Sequence, residues 1–259
     1  MKLSIITATF NSEDTIERCL NSVIDSNIYN YEHIIIDGVS NDKTIGIIKK
    51  YQKIKPNIKL ISELDKGIYD ALNKGIIKST GDIIGFLHSD DFFQTKSILS
   101  EIISRVKKEN LDGIYGDLNY VNGDISPKII RRWRSNDFNL RSLKNGWMPP
   151  HPTLFLKKQV YKKYGLFNLN YKISADYDFM LRILKVENLK VQYLPKVVTS
   201  MQLGGASNKN LKNILMKMNK SGFRVQDWLI FLESLWIYPG TYLRIMNMSK
   251  DITSTRIVS

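Results

Sequence analysis

Adjacent aspartates, Asp90 and Asp91, follow the apolar run Ile83-Ile84-Gly85-Phe86-Leu87 and the pair His88-Ser89. Two neighbouring carboxylates repel each other, so the arrangement is costly without a compensating cation. Hard oxygen ligands suit Mg2+ or Mn2+, which keep positions for water and phosphate oxygens. A bare Asp pair also occurs in solvated turns and at helix N-caps, and alone it favours that reading. Its place after a buried strand, among other acids at strand ends, favours the ion. A second group is Asp37-Gly38-Val39-Ser40-Asn41-Asp42. There Gly38 permits a tight turn, and Asn41 or Asp42 can cap the next helix. Asp37 is harder to dismiss as structural, because a carboxylate there can accept a hydrogen bond from a base N–H.

The elements that must position these groups alternate. Leu3–Ala8, His33–Asp37, Ile58–Ser62 and Asp82–His88 read as strands. Thr15–Ser26, Lys43–Lys53 and Gly67–Lys78 read as the helices between them. Such a succession argues for a parallel sheet covered by helices, a Rossmann-like half. Ligands of these sheets bind beyond the carboxyl ends of the strands. Thr7-Ala8-Thr9, Asp37-Gly38, Glu63 with Asp65, and Ser89-Asp90-Asp91 all fall at such ends. After a helix at Ser97–Lys108 the pattern changes. Gly113–Tyr120 and Lys128–Trp133 read as strands joined at Asn122-Gly123, Lys157–Tyr164 and Ala175–Val186 as helices, and Lys190–Tyr193 as one more strand.

With 43% apolar and 24% charged residues, the 259-residue chain is globular in composition. Its formal charge of +13 admits nucleic acid, an anionic membrane surface or a phosphorylated substrate. The basic residues are scattered and no nucleic-acid-binding motif stands out, so nucleic acid is not an expected partner. Cys19 is the only cysteine, which excludes an intrachain disulfide. No G-x-G-x-x-G or P-loop is present, which argues against a dinucleotide redox enzyme or an ATPase. No apolar stretch has the length of a membrane span. A cytoplasmic location is the expectation, with peripheral attachment to the inner face of the plasma membrane as its extension.

Ser4-Ile5-Ile6-Thr7-Ala8-Thr9-Phe10-Asn11, the Asp37–Asp42 group, Glu63-Leu64-Asp65-Lys66-Gly67-Ile68-Tyr69-Asp70-Ala71-Leu72-Asn73-Lys74-Gly75 and Thr80–Asp91 occur in this order. Together they resemble glycosyltransferase family 2, inverting enzymes of the GT-A fold, over roughly residues 1–205. The resemblance implies an α/β, mostly parallel central sheet flanked by helices. It implies a nucleotide-sugar-binding half at 1–95, an acceptor-side half at 96–207, and a C-terminal extension at 208–259. It implies that Thr7, Ala8 and Thr9 line the nucleoside pocket, that Asp37 meets the base, and that Asp65 lies near base or ribose. Lys66 would stand by the phosphates, with a solvent-facing lysine as the plain alternative. Asp90 would face ribose or sugar, and Asp91 would ligate Mn2+ or Mg2+, with His151 of the Pro-rich loop as a second candidate ligand. The ion would stabilise the departing nucleoside diphosphate.

An inverting transfer also needs a base for the acceptor hydroxyl. Within Ser174-Ala175-Asp176-Tyr177-Asp178, Asp176 matches the family's catalytic position. Ala175 departs from the usual Glu, which leaves Asp178 as the alternative base. The implied activity is a hexosyl or N-acetylhexosaminyl transfer in envelope polysaccharide assembly, such as O-antigen or capsule. The expected donor is a UDP-sugar, with dTDP- and GDP-sugars as alternatives. The acceptor is expected to be a saccharide, polyprenyl-diphosphate-linked in the membrane-associated case. An inactive nucleotide-sugar-binding partner subunit is the competing reading. Gly204-Gly205-Ala206-Ser207 would close over the diphosphate. The basic, apolar tail, with Lys209, Lys212, Lys217, Lys220 and Arg224 ahead of Trp228–Tyr238, would lie on a membrane, pack on the domain or form a homodimer contact.

Overall fold

Every residue of Leu3–Thr9 and of Tyr31–Asp37 is buried, which is why these strands read as unbroken apolar runs rather than alternating ones. They are β1 and β2 in a computed structural model that describes residues 1–123, 126–139, 142–143, 147–172 and 174–203. The expected boundary at 207/208, the Gly204–Ser207 segment and the tail lie outside the described residues. The remaining elements are α1 (Ile16–Ile24), α2 (Thr44–Ile54), β3 (Ile58–Ser62), α3 (Ile68–Lys78), β4 (Ile83–Phe86), β5 (Phe92–Phe93) and α4 (Ile98–Lys108). They continue with β6 (Gly113–Asn122), β7 (Lys128–Trp133), a 3-10 turn at His151–Thr153, β8 (Phe155–Lys157), α5 (Lys158–Tyr164), α6 (Ala175–Leu184) and β9 (Val191–Gln202).

Among the described residues these form a nine-stranded sheet in the order β3-β2-β1-β4-β8-β6-β9-β5, with β7 paired to β6. The β3-β2-β1-β4 half is parallel, as expected. Beyond it the sheet is mixed, because β8 enters antiparallel to both β4 and β6, and β5 and β7 are antiparallel to their partners. The reversal at β8 makes β6 run the same way as β4, and β9 is parallel to β6. The carboxyl ends of β1, β2, β3, β4, β6 and β9 therefore share one edge. Alternate residues of β1 enter two cores: Leu3 and Ile5 pack with α1, α2 and α4, while Ile6 and Ala8 pack with α3, α5 and α6. Gly75 lets α3 lie directly on β1, since a Cβ there would come within 2.3 Å of Ile6 Cγ2.

At the opposite edge Glu32 is a buried carboxylate, 1% exposed. It accepts from Ser4 Oγ at 2.6 Å, Thr80 N at 2.5 Å, Thr80 Oγ1 at 2.9 Å, Lys59 Nζ at 2.7 Å and Lys2 Nζ at 3.3 Å. Burial alone would raise its pKa, but the donors outweigh it and hold the carboxyl well below the usual range. We expect Glu32→Gln to lower the unfolding free energy at neutral pH by about 2 kcal/mol in urea titrations, because buried donors lose an ionised acceptor. A carboxyl whose folded pKa lies below its unfolded value of 4.5 stabilises above that pH and ceases to do so as the pH falls. The gap between wild type and variant should therefore close in acid, and an unchanged gap at about pH 3 would exclude an ionised Glu32.

Candidate active site

The strand ends are tied to one another by their own polar groups. Gly38 N donates to Thr9 O at 2.9 Å and Glu63 N to Asp37 O at 3.0 Å. Asp37, fully buried, accepts from Ser40 N at 3.0 Å, Ser40 Oγ at 2.5 Å and Ser62 Oγ at 2.7 Å. The carboxylate expected to meet a base thus spends three of its acceptor sites on holding the loops after β2 and β3. Asn11 N donates to Ser40 Oγ and Ser12 Oγ lies 2.9 Å from Ser89 Oγ, which joins the ends of β1, β2 and β4. Asp42 Oδ1 accepts from Thr44 N at 2.9 Å just ahead of α2, but the N-cap there is Lys43, so neither Asn41 nor Asp42 caps the helix as expected.

Of the residues expected to line the nucleoside pocket, Thr7 turns its hydroxyl inward. It donates to Leu87 O at 2.6 Å, so His33 must donate its Nε2 proton to Thr7 Oγ1 at 2.8 Å. Burial pushes the His33 pKa down to about 3, so this histidine is neutral and structural. Ala8 is buried against α3, and Thr9 Oγ1 is buried without a hydrogen-bond partner. Asp65 reaches over the end of β2: its Oδ1 accepts from Gly67 N at 2.8 Å, and a Cβ on Gly38 would meet its Oδ2 at 2.8 Å. A side chain at position 38 would therefore have to displace the end of Asp65. Lys66 is exposed, and its ammonium makes no ion pair among the described residues. Phe10, 61% exposed, and Val39, at φ +65°, complete this rim. A left-handed conformation is costly for a β-branched residue, and such strain gathers at ligand-facing loops.

The turn after β4 divides the two acids. Asp91 is fully buried and accepts the backbone N–H of Gln202, at the end of β9, through Oδ1 at 3.1 Å. Its Oδ2 has no partner. Burial, and then the charge of Asp90, push the Asp91 carboxyl well above the usual range. Asp90 is partly exposed, and its carboxylate makes no hydrogen bond among the described residues. Its main-chain carbonyl is held by Arg18 Nη2 at 2.8 Å. The residue expected to ligate the ion is thus the enclosed one, and the residue expected to face ribose is the open one.

Across the crevice, Ser174 at φ +68° opens α6 and presents Asp176, whose Oδ1 accepts from Tyr69 OH at 2.8 Å. Asp178 turns away: it pairs with Arg182 Nε at 3.1 Å, and Arg182 donates onward to Tyr164 O and Leu166 O. His88 lies in the field of both Asp90 and Asp176, although burial outweighs them and lowers its pKa. His151 sits between Phe86 and Phe167, with ring centroids 4.9 and 5.4 Å away, and 5.9 Å from His88. Burial lowers its pKa to about 4, and its Nε2 has no partner. Asp91 makes its side-chain hydrogen bond to Gln202 N, whereas His151 packs against Phe86, Phe167 and His88. Sequence reasoning left Tyr69 and Arg18 without roles. Tyr69 had a signal, a phenol inside a strand-end motif, whereas Arg18 had none.

Strand ends that converge on an acidic turn, facing carboxylates from a second half, define a GT-A transferase fold. Staphylococcus aureus TarS 1–349, solved with UDP-GlcNAc, matches with TM-score 0.64 and 22% identity over 78% of this chain and 58% of that one. Mannosyltransferase PcManGT of Pyrobaculum calidifontis, solved with GDP-Man and Mn2+, matches with TM-score 0.59 and 16% identity over 77% of this chain and 56% of that one. The chain spans less than two thirds of either solved chain. The Glycosyl transferase family 2 profile matches residues 4–166, and the chain belongs to that family of glycosyltransferases. A PGL/p-HBAD biosynthesis glycosyltransferase of Mycobacterium tuberculosis is 30% identical over 98% of this chain and 97% of its own length. A dolichyl N-acetyl-alpha-D-glucosaminyl phosphate 3-beta-D-2,3-diacetamido-2,3-dideoxy-beta-D-glucuronosyltransferase of Methanococcus voltae is 29% identical over 98% of this chain and 83% of its own.

Because Asp37 ties two loops, Asp37→Asn should lower the unfolding free energy by about 2 kcal/mol in denaturant titrations, since an amide has one acceptor oxygen for three donors. Ser62→Ala, which leaves Ser40 in place, should cost about half of that. Equal and negligible losses in both variants would contradict the tie.

Proposed function

We propose that this glycosyltransferase moves a sugar from a UDP-sugar to a hydroxyl of a lipid-linked saccharide, with inversion and with a divalent cation bound at Asp90. The observation that carries the reading is the pair of partly exposed carboxylates, Asp90 and Asp176, whose charges both act on His88. Both are partly exposed, while the other strand-end acids are bound to backbone or side-chain donors.

The donor set fits Mn2+ or Mg2+ in one respect that matters. Among the described residues no three His, Cys, Asp or Glu side chains close around an ion. Ions of this kind take one or two carboxylates and fill their remaining positions with water and substrate phosphate. Asp90 is the open carboxylate, while the Nε2 of His151 is buried and without a partner. Bound there, the ion would neutralise charge on the departing nucleoside diphosphate. On the other side the acceptor oxygen attacks the anomeric carbon, the bond to the diphosphate breaks, and the hydroxyl proton passes to Asp176. Tyr69 holds Oδ1 of that carboxylate, which leaves Oδ2 for the proton. Phe10 and Asp65 offer the nucleoside an aromatic face and an acceptor.

The acceptor class draws on the names of the relatives, one of which acts on a dolichyl-phosphate-linked sugar. UDP draws on the solved complex of TarS, and GDP in PcManGT is the alternative. Asp176→Asn should keep donor affinity within about twofold and lose at least about a hundredfold in turnover. Asp178→Asn, which breaks only the Arg182 pair, should keep turnover and lose about 0.5 kcal/mol of stability. Turnover assays beside nucleotide titrations decide this. Near-normal turnover of Asp176→Asn would remove it as the base.

A further inference from the structure

Strand β7 has β6 as its only strand partner among the described residues. Its sequence, with the flanking residue, is Lys128-Ile129-Ile130-Arg131-Arg132-Trp133-Arg134. None of Lys128, Arg131, Arg132 or Arg134 forms an ion pair with a carboxylate among the described residues. Arg131 is instead stacked on rings, 5.3 Å above Tyr120 and 5.9 Å above Trp133. The pairing passes from Tyr120–Arg131 to Val121–Ile129, so Ile130 is a bulge with no partner on β6. In a regular strand two consecutive isoleucines would point to opposite faces. Here the bulge leaves both open, Ile129 at 45% and Ile130 at 59% exposure. Basic residues alone would protect a free sheet edge from pairing with another molecule, but two exposed isoleucines do the reverse. Unpaired cations around exposed aliphatic side chains match an anionic lipid surface, which offers phosphate to the first and acyl chains to the second.

The place of this strand in the fold gives the surface a purpose. β7 starts at the carboxyl edge of the sheet, where Lys128 pairs with Asn122. Arg18 ties that corner to the acidic turn: it donates to Gly123 O at 3.3 Å, to Gln202 Oε1 at 3.3 Å and to Asp90 O at 2.8 Å. Whatever holds the β6–β7 hairpin therefore also fixes the orientation of the crevice at Asp90. We infer that the β6–β7 hairpin docks the protein on an anionic bilayer, with Ile129 and Ile130 inserted and Lys128 and Arg132 on the headgroups. The inference rests on the proposed lipid-linked acceptor only for its biological sense, since binding needs no turnover.

Co-sedimentation of the full chain with phosphatidylcholine vesicles, with and without phosphatidylglycerol, tests it. Wild type should partition onto the anionic vesicles and be released by salt. Lys128→Glu/Arg132→Glu and, separately, Ile129→Ser/Ile130→Ser should each weaken that partitioning at least about tenfold, with unchanged melting temperature and nucleotide binding. The charge variant acts at exposed positions and keeps the test open if the serine variant folds poorly. Partitioning that stays within about twofold of wild type in the charge variant would overturn the docking role. So would equal binding to uncharged vesicles, or binding to duplex DNA without binding to anionic vesicles. Loss of transfer with intact vesicle binding would count against the catalytic reading alone.

Discussion

A single contact between a buried carboxyl and a strand end organises the catalytic edge. Asp91 takes the backbone N–H of Gln202, a residue 111 positions later, inside the protein. The bond fastens the turn after β4 to the end of β9, and so joins the parallel half of the sheet to the mixed half. Keeping a carboxyl there is costly, because burial and the neighbouring Asp90 both oppose its charge. Both of its oxygens are enclosed: Oδ1 accepts that N–H, and Oδ2 has no partner. The open carboxylate of the turn is that of Asp90, whose main chain is held by Arg18.

The same division runs through the other acids. Glu32, Asp37 and Asp42 spend both oxygens on nearby donors, and Asp65 and Asp178 one each, which builds loops and a sheet edge. Asp176 keeps one oxygen on Tyr69 and stays accessible, and Asp90 keeps both. The site is what remains when structural obligations are subtracted. Its groups sit at the ends of strands and at the start of a helix, so their positions are set by the sheet rather than by mobile loops.

The first half of the fold was legible because buried parallel strands write themselves as apolar runs, and β1, β2, β3 and the helices between them lie close to their expected bounds. The second half was not. Three-residue β8 is too short to carry a period, and Lys157 was read into the following helix. The expected last strand covers only Lys190–Tyr193, ahead of Pro195. In the structure the register shifts past Gly116 and Asp117, so Pro195 and Lys196 bulge out and β9 resumes to Gln202. The acids that the structure gathers at this edge stand in the expected motifs, but which of them is enclosed and which is open does not show in the sequence. Nothing local separates Asp90 from Asp91 or Asp176 from Asp178, since each choice depends on distant partners such as Gln202, Tyr69 and the carbonyls near Tyr164.

The central claim is that Asp90, and not Asp91, presents its carboxylate to a cation and a nucleoside diphosphate. Calorimetric titration of UDP with and without Mn2+, on wild type, Asp90→Asn and Asp91→Asn, tests it most directly. The account predicts Mn2+-enhanced UDP binding in wild type and in Asp91→Asn, where an enclosed amide replaces an enclosed carboxyl. It predicts loss of the enhancement in Asp90→Asn, by about tenfold or more in affinity. An enhancement that survives in Asp90→Asn and disappears in a folded Asp91→Asn would contradict it.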